Sequence, residues 1–390
     1  MAAVQVESNH TLSLRLDSLG TSPNASVQHQ KQKQNEKKKA VPRLWHLGDG
    51  FAVSALQSSW YQTLFSIQST FFHASTDFFR KPDLDYKYLL VPLTTGSISS
   101  PMGLGSDSQP VSIQLHGEDT YLADSQQFLL EYALRYDDKV QGAYYVGTSC
   151  RGEDHDRTHL NQFCHVECEL RGGFEQGMDV ANRYIIYIIQ ELLEKHGDVI
   201  KAHVGSTKHM TDLIQLYLAN GMAFPTITLD EALKLPEIAD GQGIMWEYTV
   251  PGSPECGRSL KRKGEQALIA RFGGAVWLVE MDHLGVPFYQ AYTNETSKNK
   301  ALCGDLLLGL GEVVGCGNRH TTAEQVLAAL DQHAVDPAEY AWYVDMRKLK
   351  PMNTTGWGIG SERFLSWVLQ HEDIRDIQLL PRLKGLTCAP

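Results

Sequence analysis

Residues 356–364 read GWGIGSERF, three glycines alternating with bulky residues ahead of a Glu-Arg pair. Glycine inside a strand or helix costs about 0.5–1 kcal/mol against alanine, so so many together need a cause. One cause is close approach of a flat ligand to bare backbone, with Arg363 at the ligand's edge. The other is tight packing of a strand on a helix, with Arg363 as a surface charge. On either account the stretch is a strand that passes through a loop into a helix.

The flanking chain gives that strand its company. Leu56, Trp60, Leu64, Ile67 and Phe71 recur every three or four residues, which predicts a helix over 54–80. YKYLLVPLTT reads as a buried strand whose end Pro92 assigns to an edge or interface. A Gly/Ser/Pro loop, the strand VSIQLHG and the helix SQQFLLEYALRY follow. GAYYVGTSCRGE and FCHVECELRG are two strands joined by a short loop, hence an antiparallel pair. MDVANRYIIYIIQELLEKHG is a long helix that Gly197 is expected to close. Residues 198–260 are less regular, with Asp230 a candidate helix cap. AVWLVEMD and DLLLGLGEVVGCG are further strands. Strands in runs, with helices on one side, predict an α+β fold built on a mostly antiparallel sheet flanked by helices.

Composition excludes several classes. At 42% apolar and 21% charged, the 390 residues fit a globular protein. There is no apolar run of about 20 residues, so no membrane-spanning helix is expected, and the first 20 residues lack a secretory signal pattern. Seven cysteines without CxxC spacing point to free thiols in a reducing compartment, with the cytoplasm the expected location. Residues 1–44 carry +4 of a net −11, leaving −15 on the remainder. So acidic a body argues against nucleic acid as its main partner. Residues 1–44, with QHQKQKQNEKKK, are expected to be a disordered polar tail and 45–390 the folded domain. The lysines of the tail are either merely solvated or a grip for RNA or another partner.

Three clusters carry candidate chemistry. CRGEDHDRTHLNQFCHVECE places Arg151, Glu153, His159, Phe163 and Glu167 on two strands and their loop. Arginine beside an aromatic ring can grip a nucleotide by phosphate and base, though a charged surface hairpin looks similar. GDLLLGLGEVVGCGNR holds Asp305 and Glu312 in an apolar run, followed by Arg319. Buried acids need a partner, and oxygen ligands suit Mg²⁺; acids at strand ends meeting lysines are the alternative. The third cluster is the glycine strand with Arg363.

Taken together these stretches resemble the class II aminoacyl-tRNA synthetases, in the order and spacing of the aspartyl/asparaginyl branch. CRGEDHDRTHLNQF resembles F-R-x-E … R-H-L-x-E-F. GWGIGSERF resembles G-[FL]-G-[LI]-G-x-[DE]-R. HEDIRDIQLLPR resembles N-I-R-D … P-R, and LADSQQFLLEY resembles L-x-x-S-x-Q-L-x-x-E. The resemblance spans about residues 54–385 and implies ATP and Mg²⁺ as cosubstrate and cofactor. It implies that Arg151 holds the α-phosphate and the activated carboxylate. Phe163 stacks on adenine, with Arg363 over its other face or at the γ-phosphate. Glu153 binds the adenine amino group, and His159 approaches the terminal phosphates. Asp305 and Glu312 carry Mg²⁺. Ser125, Gln127 and Glu167 meet the substrate amino group, and Arg319 the side chain of an Asp/Asn-like amino acid. A homodimer is implied as well.

Departures from the pattern shape the expected activity. That branch has an anticodon-binding barrel before its core, whereas about 45 residues precede the first core helix here. The loop motif reads Thr158-His159-Leu160-Asn161-Gln162-Phe163, one residue shorter, and P-H-[SG]-G becomes Asn353-Thr354-Thr355-Gly356. Met102 stands where aspartyl enzymes have glutamate, and Leu130 where they have lysine, which brings the pocket nearer the asparaginyl type. The resulting expectation is a tRNA-independent, AMP-forming amide synthetase. It resembles the asparagine synthetases derived from asparaginyl-tRNA synthetase, activating aspartate or a relative for attack by ammonia or another amine. The alternatives are a truncated synthetase that aminoacylates RNA and a non-catalytic regulatory paralogue.

Overall fold

The computed structural model describes residues 43–99 and 109–388. The Lys-rich tail and Met102 lie outside the described residues. Among the described residues thirteen strands appear in chain order: β1 (Lys87–Tyr88), β2 (Thr94–Thr95), β3 (Val111–Leu115), β4 (Glu118–Leu122), β5 (Gly142–Cys150), β6 (Gln162–Arg171), β7 (Thr226–Thr228), β8 (Trp246–Val250), β9 (Ser253–Leu260), β10 (Ala275–Val279), β11 (Cys303–Leu308), β12 (Gly311–Asn318) and β13 (Thr354–Gly360). Eight of them form one sheet, in the order β1-β5-β6-β13-β12-β11-β10-β7. Pairing is antiparallel from β5 through β10 and parallel only at the two edges, β1 with β5 and β7 with β10. The α+β expectation holds.

The sheet's two faces are chemically opposite, and strand alternation is the reason. Val166, Cys168 and Leu170 of β6, Trp357 and Ile359 of β13, Val314 and Cys316 of β12, and Leu306 and Leu308 of β11 enter one apolar core. That core also takes the helices Ser59–Phe79 and Phe174–Val204. The residues between them, Glu167, Glu169, Gly356, Gly358, Gly315, Gly317 and Asp305, therefore belong to the other face. Helices cover both faces rather than one: Leu268, on the helix Arg262–Arg271, packs with Val276, Leu278 and Leu307 on the side away from the long helix.

Four local expectations change. The long helix runs through Gly197 and ends at Val204, where Gly205 adopts φ 89°. An interior glycine is tolerated where a helix is held by packing, whereas the left-handed turn selects Gly205. YLLVPL is not a buried strand: only Lys87–Tyr88 and Thr94–Thr95 pair, and Leu90 is 86% exposed. The cap of the helix after β7 is Thr228, whose hydroxyl accepts from the Glu231 N–H in a capping box; Asp230 instead meets Arg258 and Lys300. Residues 198–260 hold a regular helix, Lys208–Ala219, and the β8–β9 hairpin.

Candidate active site

Two cavities open on the polar face and meet. The first, about 660 Å³, is lined by Arg151, Glu153, His159, Phe163, Glu312 and Arg363, with Gly358 and Gly360 as bare floor. The second, about 830 Å³, is lined by Ser125, Gln127, Glu167, Asp305 and Arg319 among others. Arg151, His165, Glu312 and Gly358 line both. All eleven site residues named from the sequence thus fall in two adjoining lobes.

In the first lobe the Arg151 guanidinium lies 5.4 Å from the centre of the Phe163 ring. Its Nε is buried and has no hydrogen-bond partner among the described residues. The rest of the guanidinium makes no hydrogen bond to a described residue either and borders both cavities, where an anionic ligand can meet it. Arg363 joins three segments: Nη1 donates to the Glu312 carbonyl at 3.0 Å, while Nε and Nη2 donate to the Thr158 carbonyl at 3.3 and 3.2 Å. Its neighbour Glu362 faces inward and accepts from the Cys164 N–H, which fastens the helix Ser361–Val368 to β6. His159 is partly exposed, with Nδ1 3.0 Å from Asp156 Oδ1. Glu153 accepts from the Gln109 N–H at 3.2 Å, so the loop before β3 helps to hold it.

The acids form the border between lobes. A register shift between Leu306 and Leu307 breaks the β11–β12 pairing just ahead of Glu312. Gly315 leaves room above the sheet there: a Cβ would sit 3.1 Å from Glu312 Oε1 and 3.8 Å from Asp305 Oδ1. Glu265 joins them from the helix Arg262–Arg271. Burial and the nearby Glu312 push its carboxyl up to about 7, and burial with both neighbours pushes Asp305 well above the carboxylate range. Such crowding fits a divalent cation with oxygen ligands, although no group of three or more metal-ligating side chains is preassembled among the described residues. One or two carboxylates, with water and substrate phosphate completing the shell, is how Mg²⁺ is ordinarily held. Sequence reasoning missed Glu265, which sits outside every motif.

In the second lobe Glu167 accepts from the Ser125 hydroxyl at 2.8 Å, the Tyr145 hydroxyl at 2.6 Å and the Gln126 N–H at 3.2 Å. Burial raises its carboxyl to about 7, with those donors opposing. His165 presents Nδ1 to Ser149 at 2.8 Å and to Glu167 at 3.2 Å. Burial, with Arg151 and Arg363 adding, lowers its pKa to about 3, so the imidazole is neutral.

Deeper in, Glu169 and Arg319 form a buried ion pair, with Nη2 to Oε2 at 3.1 Å and Nε to Oε1 at 3.3 Å. Gln127 donates to Glu169 at 2.6 Å. Glycine makes this convergence possible: a Cβ on Gly356 would lie 1.9 Å from Glu169 Oε2 and 2.2 Å from both Arg319 Nη2 and Gln127 Nε2. The alternating glycines therefore have two uses. Gly356 yields its space to polar side chains, whereas Gly358 and Gly360 floor the first cavity. Glu169 was the second residue missed, although it lies two positions from Glu167 and hence on the same face. Leu130, by contrast, packs with Leu134, Ala143 and Tyr145 in a separate apolar cluster.

Residues 52–384 match the family described as tRNA synthetases class II (D, K and N). The chain is 25% identical over 331 residues to asparagine–tRNA ligase of Thermoplasma acidophilum, covering 84% of itself and 70% of that relative. It is 26% identical over 337 residues to the enzyme of the same name from Sorangium cellulosum, covering 84% and 71%. Among solved structures, asparaginyl-tRNA synthetase of Pyrococcus horikoshii complexed with asparaginyl-adenylate superposes with a TM-score of 0.73 at 21% identity, covering 86% of this chain and 71% of that one. An aspartyl-tRNA synthetase of Entamoeba histolytica gives 0.65 at 18%, covering 93% and 64%. The chain belongs to the class II tRNA synthetases, and the match spans the catalytic core that carries both cavities.

Proposed function

We propose that this chain binds ATP in the first lobe and an asparagine-type amino acid in the second, and joins them as an aminoacyl-adenylate with release of pyrophosphate. The observation that carries the reading is Arg151, whose guanidinium makes no hydrogen bond to a described residue and borders both the nucleotide and the amino-acid lobe. There it faces α-phosphate and carboxylate together. Cationic groups that oppose the charge building on phosphorus, and walls that align the attack, supply the catalysis. Phe163 and Arg363 hold the nucleotide, with Glu153 at the base and His159 at the terminal phosphates. Asp305, Glu312 and Glu265 would hold Mg²⁺, which neutralises phosphate charge. Ser125, Gln127 and Glu167 receive the α-ammonium, and Arg319, held by Glu169 behind it, the side chain.

Glu169 refines the substrate. Arg319 is already matched by the buried Glu169 carboxylate, so the subsite suits a neutral carboxamide, which accepts from the guanidinium. An aspartate carboxylate would meet a guanidinium whose charge Glu169 already neutralises. For the acyl acceptor, the name of the relatives, asparagine–tRNA ligase, supports an RNA hydroxyl. A second reading, amide synthesis from aspartate and ammonia or another amine without tRNA, is favoured by the acidic body, −11 overall with a basic tail. Residues 45–390 would form the catalytic domain. A cytoplasmic homodimer completes the proposal: seven free cysteines suit a reducing compartment, and exposed apolar residues on the first long helix and after β1 suit a partner copy.

ATP–pyrophosphate exchange tests the activity. Exchange is expected with asparagine and at least tenfold less with aspartate; no exchange with either, in the presence of Mg²⁺, sinks the reading. Product analysis with tRNA in one reaction and ammonium in another then separates the two acceptors.

A further inference from the structure

One more polar side chain reaches the second lobe, from a loop and not from the sheet. Gln290 lies between β10 and β11, and its backbone is tied down. Its N–H donates to the Pro287 carbonyl at 3.1 Å, and it bridges to Arg319 at the end of β12. The next residue's N–H donates to the Asn318 carbonyl at 2.7 Å. Its own carbonyl accepts from His283 Nε2 at 2.8 Å. That bond fixes the tautomer: with its proton on Nε2, His283 accepts at Nδ1 from His333 Nε2, 2.9 Å away.

The side chain is fixed as firmly. Arg319 Nη1 donates to Gln290 Oε1 at 3.1 Å. A guanidinium has no acceptor, so the amide oxygen faces it and the nitrogen must face elsewhere. The two N–H bonds of Gln290 Nε2 have no partner in the hydrogen bonds of the described residues, and Gln290 lines the 830 Å³ cavity. Gly317 makes the position possible, because a Cβ there would lie 1.8 Å from Gln290 Oε1.

We propose that Gln290 is a specificity-determining residue, donating from Nε2 to the side-chain carbonyl oxygen of the amino acid beside Arg319. The proposal rests on the amino-acid reading of the second lobe. Gln290 and Arg319 both line that subsite and donate, while Glu169 is buried behind Arg319, so the wall matches a carbonyl oxygen. An alkyl side chain leaves the Gln290 N–H groups unpaired, and sites that hydrogen-bond a substrate discriminate against analogues that cannot reply.

The test compares wild type, Gln290→Leu and Gln290→Glu in exchange assays with asparagine and with 2-aminobutyrate, alongside calorimetric Kd for asparagine. Loss of one neutral hydrogen bond is expected to raise KM for asparagine roughly two- to twelvefold in Gln290→Leu. kcat should change little, and 2-aminobutyrate should be unaffected. Gln290→Glu keeps an oxygen against Arg319 but loses the donors, and is expected to lose at least as much on asparagine. Equal losses on both amino acids, or a wild-type KM in Gln290→Glu, would mean that Gln290 only props Arg319, and would overturn the proposal. A wild type that binds asparagine without exchange sinks the activity alone, and the Kd ratios then decide on Gln290. A wild type that neither binds nor exchanges overturns both.

Discussion

Gly356 shows how a missing side chain can organise a site. Alanine there would put a methyl carbon within about 2.2 Å of three polar groups that already touch one another. At least one must leave, and Glu169 and Arg319 are buried too deeply to find water. Gly356→Ala is therefore expected to cost about 2–4 kcal/mol of stability, the range for overpacking combined with a broken buried pair. It should also raise KM for the amino acid by a factor of ten or more, with KM for ATP nearly unchanged. Thermal melts and exchange kinetics check both, and a normal amino-acid KM would contradict the assigned convergence. At this scale the motifs were most legible: eleven residues named from the sequence lie in two adjoining cavities. Glu169 was readable in principle, since ECE puts both acids on one face. Glu265 and Gln290 were not, because only chain closure brings a helix and a loop over the sheet, and neither stretch carries a repeating pattern.

Among the elements, the helix Gln127–Ala133 is held by charge. Glu131 pairs with Arg347 of the helix Ala341–Leu349, and Tyr343 donates to Glu131 at 2.6 Å; all three are buried. The Arg347 guanidinium also lies 3.7 Å from the centre of the Tyr343 ring. Arg135, also buried, lies 3.6 Å from the same carboxylate; removing Glu131 strands both guanidinium groups, so Glu131→Gln is expected to cost about 3–5 kcal/mol in urea unfolding, whereas Glu131→Leu with Arg347→Met and Arg135→Met should cost much less. Equal losses would show that packing rather than charge holds the helices. Because Gln127 starts the same helix, Glu131→Gln should also weaken amino-acid binding. Element type was legible wherever periodicity ran long, as in the helix Phe174–Val204 and the paired β5 and β6. Boundaries were less so. Gly197 looked like a stop, but only the backbone conformation at Gly205 ends the helix, and residue identity alone does not distinguish two glycines. YLLVPL looked buried because apolar content is not burial.

At the level of the molecule, several of the exposed apolar side chains fall on the first long helix and just after it. Phe65 and Phe72, seven residues apart on one stripe of the helix Ser59–Phe79, are exposed, as are Tyr88, Leu90 and Leu93. If the proposed homodimer uses them, light scattering behind size exclusion should give twice 43.6 kDa, and Phe65→Asp with Leu90→Asp should give a single chain. A wild type of single-chain mass would remove the dimer from the proposal. The antiparallel sheet flanked by helices was foreseen from the strand runs, but not its strand order, which local patterns do not encode. The division of labour across that sheet bears on how such a protein can change over time. Glu169, Arg319 and the glycines that make room for them are locked together, so replacing any one damages the others. Gln290 differs in that it comes from a loop: its amide oxygen rests on Arg319 and over Gly317, but its Nε2 is tied to no described residue. A lineage in search of a new substrate has few neutral steps through the sheet, and one short path through residue 290.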